Sequence, residues 1–204
     1  MNKPIRILGI AGQSDNGAIL HAAAQLAPED ATIEIFEIDG IPLFSEDGEH
    51  DPPTTVVELK HRIRESDAVL FVTPEYNYSI CGVLKDAIDW ASRPDGDNAW
   101  WGKPAAVMGA SIGTFGTAQA HYHLRQVMVQ LNMFPLNQPE VMIGAANERF
   151  DTVGKLTDEQ TKEYICRVVQ SLVEWTRRIR AQAASEDLLA RGQVAAQSAN
   201  AAFA

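Results

Sequence analysis

A doubly wound α/β fold, built on five parallel strands with helices on both faces, is the architecture this sequence predicts. Three observations carry it. Short apolar runs of strand length alternate with longer stretches in which apolar residues recur at helical spacing. The connections between them are short, as βαβ units with right-handed crossovers require. Three polar loops bearing glycine or proline each follow an apolar strand and lead into a helix, as at Gly12–Gly17, Pro74–Cys81 and Ser111–Gly116.

Taken in order, Ile5–Ile10 reads as a buried strand, Gly12–Gly17 as a polar loop and Ala18–Leu26 as a helix. Thr32–Ile38 alternates Ile33 and Ile35 with polar neighbours, the period of a strand, and 42–53 is a loop dense in Pro, Gly and acid. Val56, Leu59 and Ile63 mark a helix from Thr54, and Ala68–Thr73 is a continuous apolar strand of the kind buried on both faces. After Pro74–Cys81 comes a helix with Val83, Leu84, Ala87, Ile88 and Trp90 on its inner side. Pro104–Ala110 is the fourth strand, Thr117–Met133 a helix and Glu140–Ile143 the fifth strand. The last helix is predicted over Thr157–Gln182, with Thr157 and Gln160 spaced as a capping box. This reading makes 1–182 one domain and 183–204, rich in Ala and Gln, a flexible tail or loosely docked helix.

The 204 residues suffice for one sizeable core, and 46% hydrophobic with 22% charged residues is the balance of a globular protein. A formal net charge of −10 repels phosphate at long range, which argues against nucleic acid and anionic membrane as partners. No stretch approaches a membrane span and the first residues lack the apolar run of a signal peptide, so a cytoplasmic location is expected. Two cysteines, Cys81 and Cys166, make no disulfide framework and no CxxC pair. His121 and His123 lie two apart on a helix and cannot chelate one ion together, and no metal is predicted.

In an open α/β sheet, ligands bind beyond the carboxyl ends of the strands, where all three loops emerge. The first, Gly12-Gln13-Ser14-Asp15-Asn16-Gly17, offers backbone amides and short polar side chains at a helix start, which suits a phosphate; an ordinary N-cap uses the same residues. It is neither a Walker A loop, since Ala18-Ile19 stand where Lys and Ser or Thr belong, nor a GxGxxG turn. The second loop reads Thr73-Pro74-Glu75-Tyr76-Asn77-Tyr78-Ser79-Ile80-Cys81-Gly82, then Leu84-Lys85 and Ile88-Asp89-Trp90. The third is Gly109-Ala110-Ser111-Ile112-Gly113-Thr114-Phe115-Gly116-Thr117, followed by His123-Leu124-Arg125 and later Pro139-Glu140-Val141.

These stretches, in this order, resemble the NADPH-dependent FMN reductase family of quinone, chromate and azo-dye reductases, over roughly Ile5 to Ile143. The resemblance implies a flavodoxin-like sheet in the order 2-1-3-4-5, an FMN cofactor, NADPH or NADH as co-substrate and a small electron acceptor: quinone, azo compound, metal oxyanion or free flavin. It further implies a flavin site drawn from Gln13, Ser14, Asn16, Gly17, Pro74, Glu75, Tyr76, Asn77, Ser111 and Gly113. Backbone amides of Glu75, Tyr76 and Asn77 would face the polar edge of the ring and favour its reduced form, with no side chain needed as catalyst. Homodimers or homotetramers are implied too, with Trp90, Trp100 and Trp101 divided between core and interface.

One departure matters. Family members usually carry an arginine in a longer first loop; here it is absent and Asp15 adds a negative charge. Losing a charge-assisted donor to phosphate costs on the order of 1.5–3 kcal/mol. Either the amides hold the phosphate unaided while Asp15 caps the helix, or the chain has become a flavin-poor or flavin-free scaffold. Arg93 is a candidate for the phosphate of the nicotinamide co-substrate, and Cys81 is expected to be a packed thiol.

Overall fold

The computed structural model describes residues 3–12, 14–151 and 154–201, with side chains from 14–15 and 187–201 excepted. Its core is a parallel sheet of β1 (Ile5–Ala11), β2 (Ala31–Glu37), β3 (Ala68–Val72), β4 (Pro104–Ala110) and two short edge segments, β5 (Phe134–Pro135) and β6 (Val141–Ile143). The order is β2-β1-β3-β4-β5, with β6 also paired to β4, the flavodoxin-like order implied by the sequence. The predicted fifth strand, Glu140–Ile143, is β6, and β5 is an additional two-residue segment on the same edge. Phe134 and Pro135 pair with Pro104 and Ala105, and Val141–Ile143 with Met108–Ala110, along one edge of β4. Pro135 and Pro139 remove two amide donors from that edge, so pairing lapses between the segments.

Alternation along the strands sorts side chains into two layers. Leu8, Ile10, Val69, Phe71, Ala105 and Val107 point to one face, under α2 (Thr54–Glu65), α3 (Gly82–Ser92) and α4 (Ala118–Gln130). Ile7, Leu70, Val72, Ala106 and Met108 point to the other, under α1 (Ser14–Gln25) and α5 (Glu159–Ala201). The close approach of α1 depends on Gly9, where a Cβ would stand 2.5 Å from a Leu20 methyl. Trp90 and Trp100 belong to the core, with their indole N–H groups donating to the carbonyls of Pro42 and Ile88, whereas Trp101 is exposed.

Several helix boundaries differ from the prediction, among them the end of α4 at Gln130 rather than Met133. The first helix starts at Ser14, not Ala18: Ser, Asp and Asn are good first-turn residues, and Gly17 is tolerated there. The last helix opens at Glu159, because Asp158 rather than Thr157 supplies the cap; Asp158 Oδ1 accepts the Thr161 amide at 2.9 Å. It runs on past Gln182 to Ala201, as no proline interrupts an Ala-rich stretch. Residues 202–204 of the expected tail lie outside the described residues.

Candidate functional site

The carboxyl ends of β1, β3 and β4 lie side by side, so the three loops meet at one edge of the sheet. Their junctions are held by backbone bonds. The Gly12 amide donates to the Val72 carbonyl at 2.8 Å, and Thr73 N–H to Met108 O at 3.0 Å. Cys81 Sγ sits 3.0 Å from the Gly12 carbonyl, and a Cβ on Gly12 would come within 2.6 Å of that sulfur and 3.1 Å of Pro74 Cδ. Glycine is therefore demanded by a close approach between the first and second loops. The Cys81 thiol is buried, and burial pushes its pKa up, making it the packed thiol expected rather than a reactive one.

Asn16 is 2% exposed and turned inward, its Oδ1 accepting the Ala110 amide at 3.0 Å. The side chain pins the start of α1 to the end of β4, and what the first loop offers outward is the helix's own first-turn amides, which lack intrahelical partners. Gln13, and the side chain of Ser14, lie outside the described residues.

The second loop is a tight hairpin. Tyr76 and Ser79 exchange both N–H···O bonds at 2.9 Å, and the central residues Asn77 and Tyr78 have φ of 51° and 62°. Two positive φ values are those of a type I′ turn. The Tyr76 amide is spent inside the hairpin, so of the three amides expected to face a ring, those of Glu75 and Asn77 have no backbone partner among the described residues. Glu75 is engaged elsewhere: its Oε2 accepts the amides of Gln119 at 2.8 Å and Ala120 at 3.0 Å, capping α4 from another loop. On the other leg, Ser79 Oγ is hydrogen-bonded to His123 Nδ1 at 2.6 Å. The sequence reading missed both links, since neither pairing leaves a local pattern when the partners lie 44 residues apart or more.

The third loop leans on the β6 edge. Ser111 N–H donates to Ile143 O, Ala146 N–H to Ser111 O, and Gly113 N–H to Ser111 Oγ. Gly116 has φ of 63° and packs on the Met142 backbone, where a Cβ would lie 2.9 Å from the carbonyl carbon. Ile112 and Phe115 flank Gly113 and are more than four-fifths exposed. Beneath the loop, Thr117 Oγ1 and both ring nitrogens of His121 are buried without hydrogen-bond partners among the described residues. Burial above all, and then the Arg125 charge, hold the His121 pKa down at about 4.

Other candidates resolve differently. Arg93 Nε donates to Glu49 and its Nη1 to Asp95, which commits the guanidinium to two carboxylates. A cavity of about 140 Å³ is lined by Glu140, Gly144, Arg149 and Tyr164 among others, with no residue of the three loops on its wall. Among the described residues no cluster of three or more His, Cys, Asp or Glu side chains is gathered for a metal, and no helix is long and apolar enough to cross a membrane.

The three loops contain no Lys or Arg. What they bring to that edge is backbone donors and the exposed side chains of Tyr76, Tyr78, Ile112 and Phe115. That donor set fits a planar heterocycle carrying a phosphate: amides for the phosphate and for the polar ring edge, and apolar walls for its faces.

Comparison with known proteins agrees. The sequence profile of the NADPH-dependent FMN reductase family matches residues 5–148. The chain is 50% identical over 185 residues to an NAD(P)H-dependent FMN reductase of Pseudomonas aeruginosa, covering 88% of this chain and all of that one. It is 43% identical over 164 residues to a 2-hydroxy-1,4-benzoquinone reductase of a Burkholderia species, covering 80% and 90%. Among solved structures it is similar to FerB, a flavoenzyme NAD(P)H:(acceptor) oxidoreductase of Paracoccus denitrificans, with a TM-score of 0.78, 35% identity and 85% and 98% of the two chains covered. This chain belongs to the NADPH-dependent FMN reductase family.

Proposed function

We propose that the protein is an FMN-dependent NAD(P)H oxidoreductase that passes electrons from a nicotinamide to a small acceptor, with quinones first among acceptors. The observation that carries this reading is the meeting of three donor-rich, cation-free loops at the carboxyl edge of β1, β3 and β4, in a chain whose relatives bear reductase names. FMN, when bound, would supply hydride acceptance and delivery. The chain's own task is then to bind, orient and exclude water.

Gln13, Ser14, Asn16 and Gly17 would surround the phosphate, chiefly through amides of the α1 first turn. Pro74, Glu75, Tyr76 and Asn77 would carry the ring edge, and Ser111 with Gly113 would line its third side. Asn16 and Glu75 contribute by building the site, because Asn16 Oδ1 and Glu75 Oε2 already accept backbone amides. Nothing in the fold or among the relatives supports the flavin-free scaffold.

Assembly into a homodimer or homotetramer goes with this reading, supported by the exposed apolar residues Trp101, Tyr122, Val129 and Phe134. So does a cytoplasmic location, since nicotinamide donors and two unpaired thiols suit a reducing compartment. Residues 1–182 are taken as the reductase unit, with 183–204 an appendage apart from the site. The test is to incubate purified protein with excess FMN, remove free ligand by gel filtration, and add NADPH or NADH anaerobically. Retained visible flavin bands that bleach with either donor and return on adding a benzoquinone are expected; colourless protein overturns the reading.

A further inference from the structure

The hairpin of the second loop has no visible means of support in its own sequence. Its ladder is a single residue pair, Tyr76 with Ser79, and a two-stranded hairpin is marginal in water even when longer. Both central residues sit at positive φ, and one of them is Tyr78, a bulky side chain where glycine is the usual choice. Such backbone persists only where the surroundings over-determine it. The Tyr78 ring is 79% exposed and provides little packing to do so.

Among the described residues, two side-chain links tie the turn to one rigid helix. On the entering leg, the Glu75 carboxylate accepts the Gln119 and Ala120 amides in the first turn of α4, where an anion is favoured by both the unpaired N–H groups and the helix dipole. On the leaving leg, Ser79 Oγ is bonded to His123 Nδ1, one turn further along the same helix. The Ser79 hydroxyl can donate to a bare Nδ1 or accept from Nδ1–H, so this second link forms with either tautomer of the His123 ring. The α4 helix is itself anchored in the core through Ala120, Leu124 and Met128, all fully buried.

We infer that Glu75 and the Ser79–His123 pair are positioning residues: they clamp the strained hairpin onto α4 before any ligand arrives, and thereby fix the Glu75 and Asn77 amides for the flavin edge. This rests on the flavin reading for its purpose, though not for its existence. A clamp of this kind moves the cost of ordering the loop from binding to folding, which raises ligand affinity without adding a contact.

The test uses the full chain and the variants Glu75→Ala, Glu75→Gln and Ser79→Ala, each first checked by thermal melting. Amide hydrogen exchange at Tyr76 and Ser79 is read in the apoprotein, and FMN dissociation constants by fluorescence titration. Glu75→Ala and Ser79→Ala are expected to speed exchange at both amides at least tenfold and to weaken FMN by roughly tenfold or more, since each releases one leg of the loop. Glu75→Gln keeps a carbonyl oxygen for the α4 amides and is expected to stay within about threefold of the parent on both readouts. Wild-type exchange rates in Glu75→Ala overturn the clamp, and a Glu75→Gln as impaired as Glu75→Ala overturns it in favour of a role for the charge. A parent protein that keeps the two amides protected yet binds no FMN sinks the flavin reading and leaves the clamp standing.

Discussion

The two edges of the sheet are built on opposite economies of polar groups. At the amino edge every buried charge has partners. Lys60, 5% exposed, donates to the Arg93 carbonyl and to Asp97, which also binds Arg64. Lys103 donates to the carbonyls of Arg64 and Ser66, and Asp67 accepts from the Arg6 amide and from Arg180. At the carboxyl edge, amides stand open, aromatic and aliphatic side chains face solvent, two residues hold positive φ in one turn, and Thr117 and His121 are buried with no partner among the described residues. The lesson is that satisfaction marks the edge that only has to hold together, while unspent donors and stored strain mark the edge at which we propose that the flavin sits.

The contrast can be broken first with acid. His121 keeps a pKa of about 4 against 6.5 for an ordinary histidine. The unfolded chain therefore takes up a proton from pH 6.5 downward that the folded protein refuses until about pH 4. The stability this group contributes is present above pH 6.5 and is lost as pH falls, by roughly 3 kcal/mol across that window. Urea melts of the parent and of His121→Leu at a series of pH values should show the variant losing less over this range, and equal slopes would place the imidazole in contact with water. Next comes Asp97→Ala at the other edge. It leaves the Lys60 ammonium buried beside one carbonyl and should cost about 1–3 kcal/mol, toward the lower end because Asp97 is itself half exposed. Its FMN dissociation constant should not move; a shift would mean that the two edges are coupled.

A smaller effect has the opposite sign. Tyr78→Gly places glycine at a left-handed position and removes a ring that is 79% exposed, so it should stabilise the fold by about 0.5–1 kcal/mol. Destabilisation would show that the turn carries no strain. Smallest of all is Arg177→Ala, which deletes an exposed pair with Asp30 at the amino edge; its melting temperature should match the parent's within repeat error at high salt.

How much of this was legible beforehand depends on how far apart the deciding residues lie. Strands β1, β3 and β4 announce themselves as apolar runs because they are buried on both faces, and the burial of Cys81 followed from its apolar neighbours and lack of a partner cysteine. The start of α1 was misplaced by four residues, from Ala18 to Ser14, because Ser-Asp-Asn serves equally as loop or first helical turn. The short β5 was missed because a two-residue pairing that ends in proline leaves no periodic pattern in the sequence. In the second loop, the stretch Pro74–Asn77 was readable as a family motif, yet the tasks of its atoms were not. That the Tyr76 amide is consumed by Ser79, and that the Glu75 carboxylate caps α4, are facts about partners met in space.

Composition, apolar periodicity and the order of the three loops were enough to determine the class of fold, the edge at which the three loops meet and the family, since each is written in residues that are neighbours in the chain. Only the tertiary structure decided which amides remain free, that Asn16 faces inward, and that a helix beginning at Ala118 holds the turn at Asn77 and Tyr78. The physical reason is that a hydrogen-bonding group's function depends on whether another atom has already claimed it: Ser79 claims the Tyr76 amide from three positions away, and the other claimants come from residues 44 to 94 positions away.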